Sequence, residues 1–163
     1  MTGGATLWRI GTDTPGYTAD DLSGVGAKIT GGRWNRSGTP MLYTSGTIAL
    51  ACMETLVHLK VGDLPLNRYL ISIAVPPLVW RKTKALVDPA KHVGWDALPA
   101  GMVSLELGEA WVRSQASALA VVPSVIVPRE FNVLVNPAHP DIAKMKVTKH
   151  EKWSYDHRLM KRD

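Results

Sequence analysis

The chain has a single cysteine, Cys52, and a single phenylalanine, Phe131, in 163 residues. One cysteine excludes an internal disulfide, so a packed core has to hold the fold. Cys52 stands among apolar neighbours in Leu50-Ala51-Cys52-Met53, where it reads as a small buried hydrophobe rather than a thiol nucleophile. Long hydrophobic runs are also missing, and a membrane span needs about 20 apolar residues. The first residues lack the basic and apolar regions of a secretory leader, so the expectation is a cytoplasmic protein. No third ligand accompanies Glu54 and His58, which leaves a metal site unsupported. The glycine pairs Gly24/Gly26 and Gly31/Gly32 lack the Lys-Ser/Thr ending of a phosphate loop and the strand-to-helix setting of a dinucleotide loop.

What is present is enough for one folded unit. Apolar residues make up 45% and charged residues 20%, a balance that excludes disorder of the whole. One domain over residues 1–163 is the expectation at this length. The formal net charge is +5, and its location says more than its size. Residues 144–163 hold seven Lys or Arg against three Asp or Glu, a net of +4, so the other 143 residues are nearly neutral. A basic end of this kind can face an acidic partner; it carries no nucleic-acid docking motif, and direct binding to nucleic acid is not expected.

The local pattern reads as α+β with a mixed or antiparallel sheet flanked by a few helices. Leu7–Ile10 is a short strand, and residues 12–30 are a loop with one helical turn near Ala19–Leu22. Pro40–Thr44 is a strand, followed by a helix capped by Ser45 or Thr47 and running to about Lys60. On that helix Ile48, Cys52, Leu56 and Leu59 share one face, with Leu50, Glu54 and His58 on another. Leu70–Val75 is a β-branched strand closed by Pro76-Pro77. Residues 78–103 are a long connection with little periodicity, and Leu105–Gln115 is a helix. A strand at Ala118–Val122, an apolar run at Val125–Val127, a turn or strand at Glu130–Val135 and a last strand around Lys146–Tyr155 complete the order.

The segment from Gly31 to Ser45 is chemically the densest. Arg33 offers a rigid fork of donors matched to phosphate or carboxylate. Trp34 and Tyr43 offer flat π-faces for a ring, especially a cationic one. The Gly31-Gly32 pair permits close backbone approach. The helix that follows carries one carboxylate, Glu54. A small anionic ligand with a flat ring suits this inventory.

Six pieces in order then resemble a known family. They are Trp8-Arg9, Gly31-Gly32-Arg33-Trp34-Asn35, Tyr43 with Ala49–Glu54, Pro123–Pro128, Glu130–Pro140, and Asp156-His157-Arg158-Leu159. Together they resemble the RES-domain toxins, the toxin half of bacterial RES–Xre toxin–antitoxin pairs, over nearly the whole chain. The resemblance implies an ADP-ribosyltransferase-like fold that consumes NAD+ as a substrate, with no resident cofactor. The family's Arg, Glu and Ser fall on Arg33, Glu54 and Ser124, its Tyr on Tyr43, and its early strand Arg on Arg9. The implied catalytic set is Glu54, Arg33, Tyr43 and Ser124. The implied NAD+-binding set is Arg9, Arg33, Trp34, Tyr43 and Asn132. The fragment at Asp156–Leu159 resembles the family's C-terminal strand. An Xre-type helix-turn-helix antitoxin is the implied partner, with no membrane involved.

Cleaving the nicotinamide–ribose bond builds positive charge on the ribose, and a placed carboxylate stabilises it. Glu54 suits that task, Arg33 and Arg9 a pyrophosphate clamp, and Tyr43 a stack on the nicotinamide. Ser124 has no Ser-His-Asp setting and reads as a positioning hydroxyl. The expected reaction is hydrolysis or phosphorolysis, because a pocket open to water favours small acceptors and no target-docking surface is legible in the sequence; transfer to a protein side chain, protein ADP-ribosylation, is the alternative. A reading from another class is a non-catalytic nucleotide or nucleic-acid binding module, in which Trp153 and Tyr155 stack on bases.

Overall fold

Alternating apolar residues build one mixed sheet of seven strands in the computed structural model, which describes residues 3–60 and 64–160. The strands are β1 (Ala5–Thr12), β2 (Leu42–Ser45), β3 (Arg68–Val75), β4 (Lys84–Ala85), β5 (Leu119–Pro123), β6 (Phe131–Val135) and β7 (Lys146–Lys152). Their spatial order is β4-β5-β6-β2-β1-β3-β7. Only the β4–β5 pair is parallel. Four helices accompany the sheet among the described residues: α1 (Val25–Thr30), α2 (Ile48–Leu56), α3 (Pro77–Trp80) and α4 (Met102–Ser114). The α+β class with a mixed sheet is as the sequence implied.

Strand alternation divides the core in two. Leu42, Leu119, Val133 and Val135 join Leu7, Ile71 and Ile73 in one cluster. Their strand neighbours Met41, Ala120, Val122 and Leu134 join Trp34 and Trp111 in a second, under α4. A third cluster joins Ile10, Leu70 and Tyr155 to Ile48, Cys52, Leu56 and Leu59, which is the apolar face expected of α2.

Several elements differ from the sequence expectation. No helix forms at Ala19–Leu22, because side chains compete for its amides. Asp13 Oδ1 accepts the Ala19 amide at 2.7 Å, and Asp21 Oδ1 accepts the Ser23 amide at 2.6 Å. The helix starts instead after Gly24, whose φ of 71° is left-handed. α2 is capped by the Thr47 hydroxyl, which accepts the Leu50 amide at 3.1 Å, and it ends at Leu56 rather than near Lys60. His58 therefore lies in an exposed turn beyond the helix. The run Val125–Val127 is a bend, and Glu130–Val135 resolves into β6. The 78–103 connection contains the end of α3 and the short β4. Residues His157–Met160 form a 3-10 turn, not a strand.

Candidate active site

Glu54 projects from α2 toward the β5–β6 end of the sheet, where Asn132 and Ser124 bond to it and Ser45 bonds to Asn132. Register sets two of them: Ser45 ends β2 and lies directly opposite Asn132 of β6. The Ser45 hydroxyl donates to Asn132 Oδ1 at 2.7 Å, and Asn132 Nδ2 donates to Glu54 Oε1 at 2.6 Å. Ser124, fully buried just past β5, donates its hydroxyl to the same Oε1 at 2.7 Å. The Ser124 oxygen in turn accepts the amides of Ile126 and Val127 at 3.1 and 3.0 Å. The Val125–Val127 bend thus exists to close on that hydroxyl, with the Ser124 amide bonded to the Glu130 carbonyl at 3.0 Å. Two donors therefore fix one oxygen of Glu54 and orient the other, in the manner of a preorganised carboxylate.

Arg33, Trp34 and Tyr43 form a second group. The Tyr43 hydroxyl donates to Asn35 Oδ1 at 2.6 Å and accepts the Trp34 amide at 3.1 Å. Gly32 makes room for it, since a Cβ there would stand 2.6 Å from the Tyr43 oxygen. Burial pushes the Tyr43 phenol above its ordinary value, the Glu109 charge adds to the shift, and Arg33 and the loop amides oppose it. Tyr43 is thus a neutral hydroxyl at physiological pH. Arg33 Nη1 donates to the carbonyls of Trp95 and Ala97 at 3.1 and 2.9 Å, so the long connection is the outer wall beside this arginine.

Trp34 requires a correction. It was expected to bind substrate through an open ring face, but it is 3% exposed and stacked on Trp95 at 6.2 Å and 23°. The ring is core because α4 approaches it so closely. At Gly108 a Cβ would lie 1.9 Å from the Trp34 carbonyl oxygen. Trp153 and Tyr155, the stacking pair of the binding-module reading, are also spent on packing beneath α2. Tyr155 is 7% exposed and its hydroxyl meets that of Thr55 at 2.7 Å.

Arg9 shares no hydrogen bond with Glu54, Ser124 or Asn132 among the described residues. β1 and β2 pair only at Trp8–Ser45, and beyond that point a cavity of about 100 Å³ opens between them. Arg9, Thr12, Tyr17, Asp21, Ala27 and Tyr43 are among its lining residues. Burial pulls the Arg9 guanidinium below its usual value, against the charges of Tyr17 and Asp21. Its Nε is shut off from solvent and has no hydrogen-bond partner among the described residues. Tyr43 is the residue that joins this cavity to the Arg33 loop.

The RES domain profile matches residues 6–157. The chain belongs to the RES domain family. This RES domain is 54% identical over 157 residues to the Prs ADP-ribosylating toxin of a Sphingobium species, covering 96% of this chain and 98% of that protein. It is 34% identical over 146 residues to the protein named Toxin Res from Photorhabdus laumondii subsp. laumondii, covering 89% and 92%. Its fold is similar to that in the crystal structure of the M. tuberculosis MbcT–MbcA toxin–antitoxin complex. There the TM-score is 0.61 at 17% identity, over 96% of this chain and 87% of the other, a likeness of fold. Within this RES domain, sequence reading passed over Ser45 and Glu109. Ser45 was weighed only as a helix cap; its signal is its place opposite Asn132, which appears only once strands are paired. Glu109 carried no signal beyond a polar position in a helix. No helix among the described residues is long and apolar enough to cross a membrane.

Proposed function

We propose that this RES domain is the toxin of a toxin–antitoxin pair. It cleaves the nicotinamide–ribose bond of NAD+ and passes the ADP-ribosyl group to a protein. The observation that carries the reading is the Glu54 carboxylate, with one oxygen pinned by Ser124 and Asn132. The other oxygen is left to take a ribose hydroxyl and to face the cation that forms at C1′. The C1′–nitrogen bond breaks with its electron pair going to the pyridinium nitrogen, which leaves as neutral nicotinamide. A lone pair of the acceptor then bonds to C1′, and the acceptor releases its proton. Arg33 and Arg9 bind the pyrophosphate, and Tyr43 lies against the nicotinamide. Ser124 and Asn132 orient Glu54 and attack nothing.

A protein acceptor is favoured by the name of the 54% identical relative, an ADP-ribosylating toxin. An Xre-type antitoxin is the partner that the family resemblance suggests. The test is NAD+ turnover followed by proton NMR, with and without the host lysate, beside Glu54→Gln. Gln retains an acceptor oxygen for Ser124 and Asn132 but carries no charge. Nicotinamide release should fall by a hundredfold or more, about 3 kcal/mol of transition-state stabilisation. Release by the wild type that depends on lysate, with ADP-ribose on a discrete protein, supports transfer. Equal release in buffer points to water, and release that needs phosphate points to phosphorolysis. Equal turnover by Glu54→Gln would sink the assignment of Glu54.

A further inference from the structure

Glu109 is a carboxylate that the chemistry above leaves unused. It lies near the middle of α4 and is 7% exposed. One short stretch of chain takes both its oxygens. Oε1 accepts the Arg36 amide at 2.7 Å, and Oε2 accepts the Thr39 hydroxyl at 3.0 Å. Among the described residues it forms no ion pair. A buried carboxylate without a cation carries a desolvation penalty that an apolar side chain would avoid, so helix packing does not explain it.

What Glu109 holds leads to the ligand-binding residues. Asn35 Nδ2 donates to the carbonyls of Ala27, Arg36 and Thr39 at 2.8, 3.2 and 2.9 Å, tying the same turn together. Asn35 Oδ1 accepts the Tyr43 hydroxyl, and that hydroxyl accepts the Trp34 amide. Arg33 is the next residue back. On the other flank Gly108 sets the α4 backbone against the Trp34 carbonyl. Two consecutive residues of α4 therefore bracket the loop immediately after Arg33.

We propose that Glu109 is a positioning residue of the NAD+ site, fixing the Gly31–Thr39 loop from α4 so that Arg33 and Tyr43 are preset for the substrate. This rests on the reading of the site given above.

The test compares wild type, Glu109→Ala, Glu109→Gln and Thr39→Val in the full chain. Nicotinamide release is measured against NAD+ concentration, and amide hydrogen exchange is measured over residues 31–39. Glu109→Ala should raise KM for NAD+ about tenfold with kcat within about threefold, and should speed exchange in that loop alone. Glu109→Gln should restore KM to within about threefold, because its amide can donate to the Thr39 oxygen while its carbonyl keeps the Arg36 amide. Thr39→Val should give an intermediate KM, roughly threefold up. A folded Glu109→Ala with wild-type KM and loop exchange overturns the proposal. So does a uniform loss of kcat and thermal stability with KM unchanged. If Glu109→Ala does not fold, Thr39→Val decides: unchanged KM and exchange count against the clamp. If the wild type releases no nicotinamide, the functional reading fails, and loop exchange in the variants still decides whether Glu109 holds the loop.

Discussion

At the scale of single residues, the site depends as much on missing atoms as on those present. Gly32 and Gly108 each stand where a Cβ would meet another group, at 2.6 Å from the Tyr43 oxygen and 1.9 Å from the Trp34 carbonyl oxygen. The two cases differ in what has to yield. A tyrosine hydroxyl can shift at the cost of its two hydrogen bonds, whereas a backbone carbonyl wedged against a helix has nowhere to go. Alanine at a helix interior gains about 1 kcal/mol over glycine by propensity, and overpacking of this kind costs about 1–3 kcal/mol or more. The clash wins. Gly108→Ala should lower the unfolding free energy by about 2 kcal/mol in a urea titration, despite its better helix propensity. A gain in stability would show that α4 can lift off Trp34 freely. Ser124 illustrates the opposite economy, for its one hydroxyl serves Glu54 and two amides at once.

At the scale of elements, what was legible is what repeats. The apolar face of α2 and the β-branched run of β3 follow from local pattern alone, and each found its cluster. Positions set by long-range pairing were not legible. The bond from Arg33 to the Trp95 and Ala97 carbonyls spans more than sixty residues of chain. Trp34 looked available because nothing in its neighbours announces a helix arriving from residue 108. The candidate site divides the same way. Glu54, Ser124 and Asn132 meet through hydrogen bonds, while Arg9 lines a separate cavity. One inter-element tie has a readable pH signature. Lys149 of β7 bonds both oxygens of Asp13, just after β1, at 2.9 and 2.8 Å. The ammonium, with the Ala19 amide, holds the Asp13 carboxyl below its ordinary value of 3.8, and Asp13 holds Lys149 above 10.5. Folding thus favours the charged form of both. The contribution is full between those two values, fades as pH falls through the lowered carboxyl value, and fades again as pH rises through the raised ammonium value. Lys149→Met should flatten the acid side of a melting-temperature profile, with little change in shape near neutrality. An acid limb as steep as the wild type's would assign acid lability elsewhere.

At the scale of the whole molecule, the sheet order separates two jobs. β5, β6 and β2 bring Ser124, Asn132 and Ser45 together beside Glu54, while β7 forms the opposite margin of the sheet. Part of the positive charge read in the last twenty residues falls on that far margin, where β7 is the last strand and exposed for most of its length. Three of its seven residues, Lys146, Lys149 and Lys152, are lysines. A final strand offers its outer row of amides and carbonyls to any passing chain, and lysine is the residue that most effectively discourages the offer. The lysines of β7 thus make this edge a poor template for another copy of the chain. Mild acetylation should therefore make the protein grow into larger particles with time and concentration, as light scattering would record. Succinylation, which replaces the positive charge with a negative one, should keep it small. An edge strand left bare would recruit copies of itself, and one studded with lysines repels them.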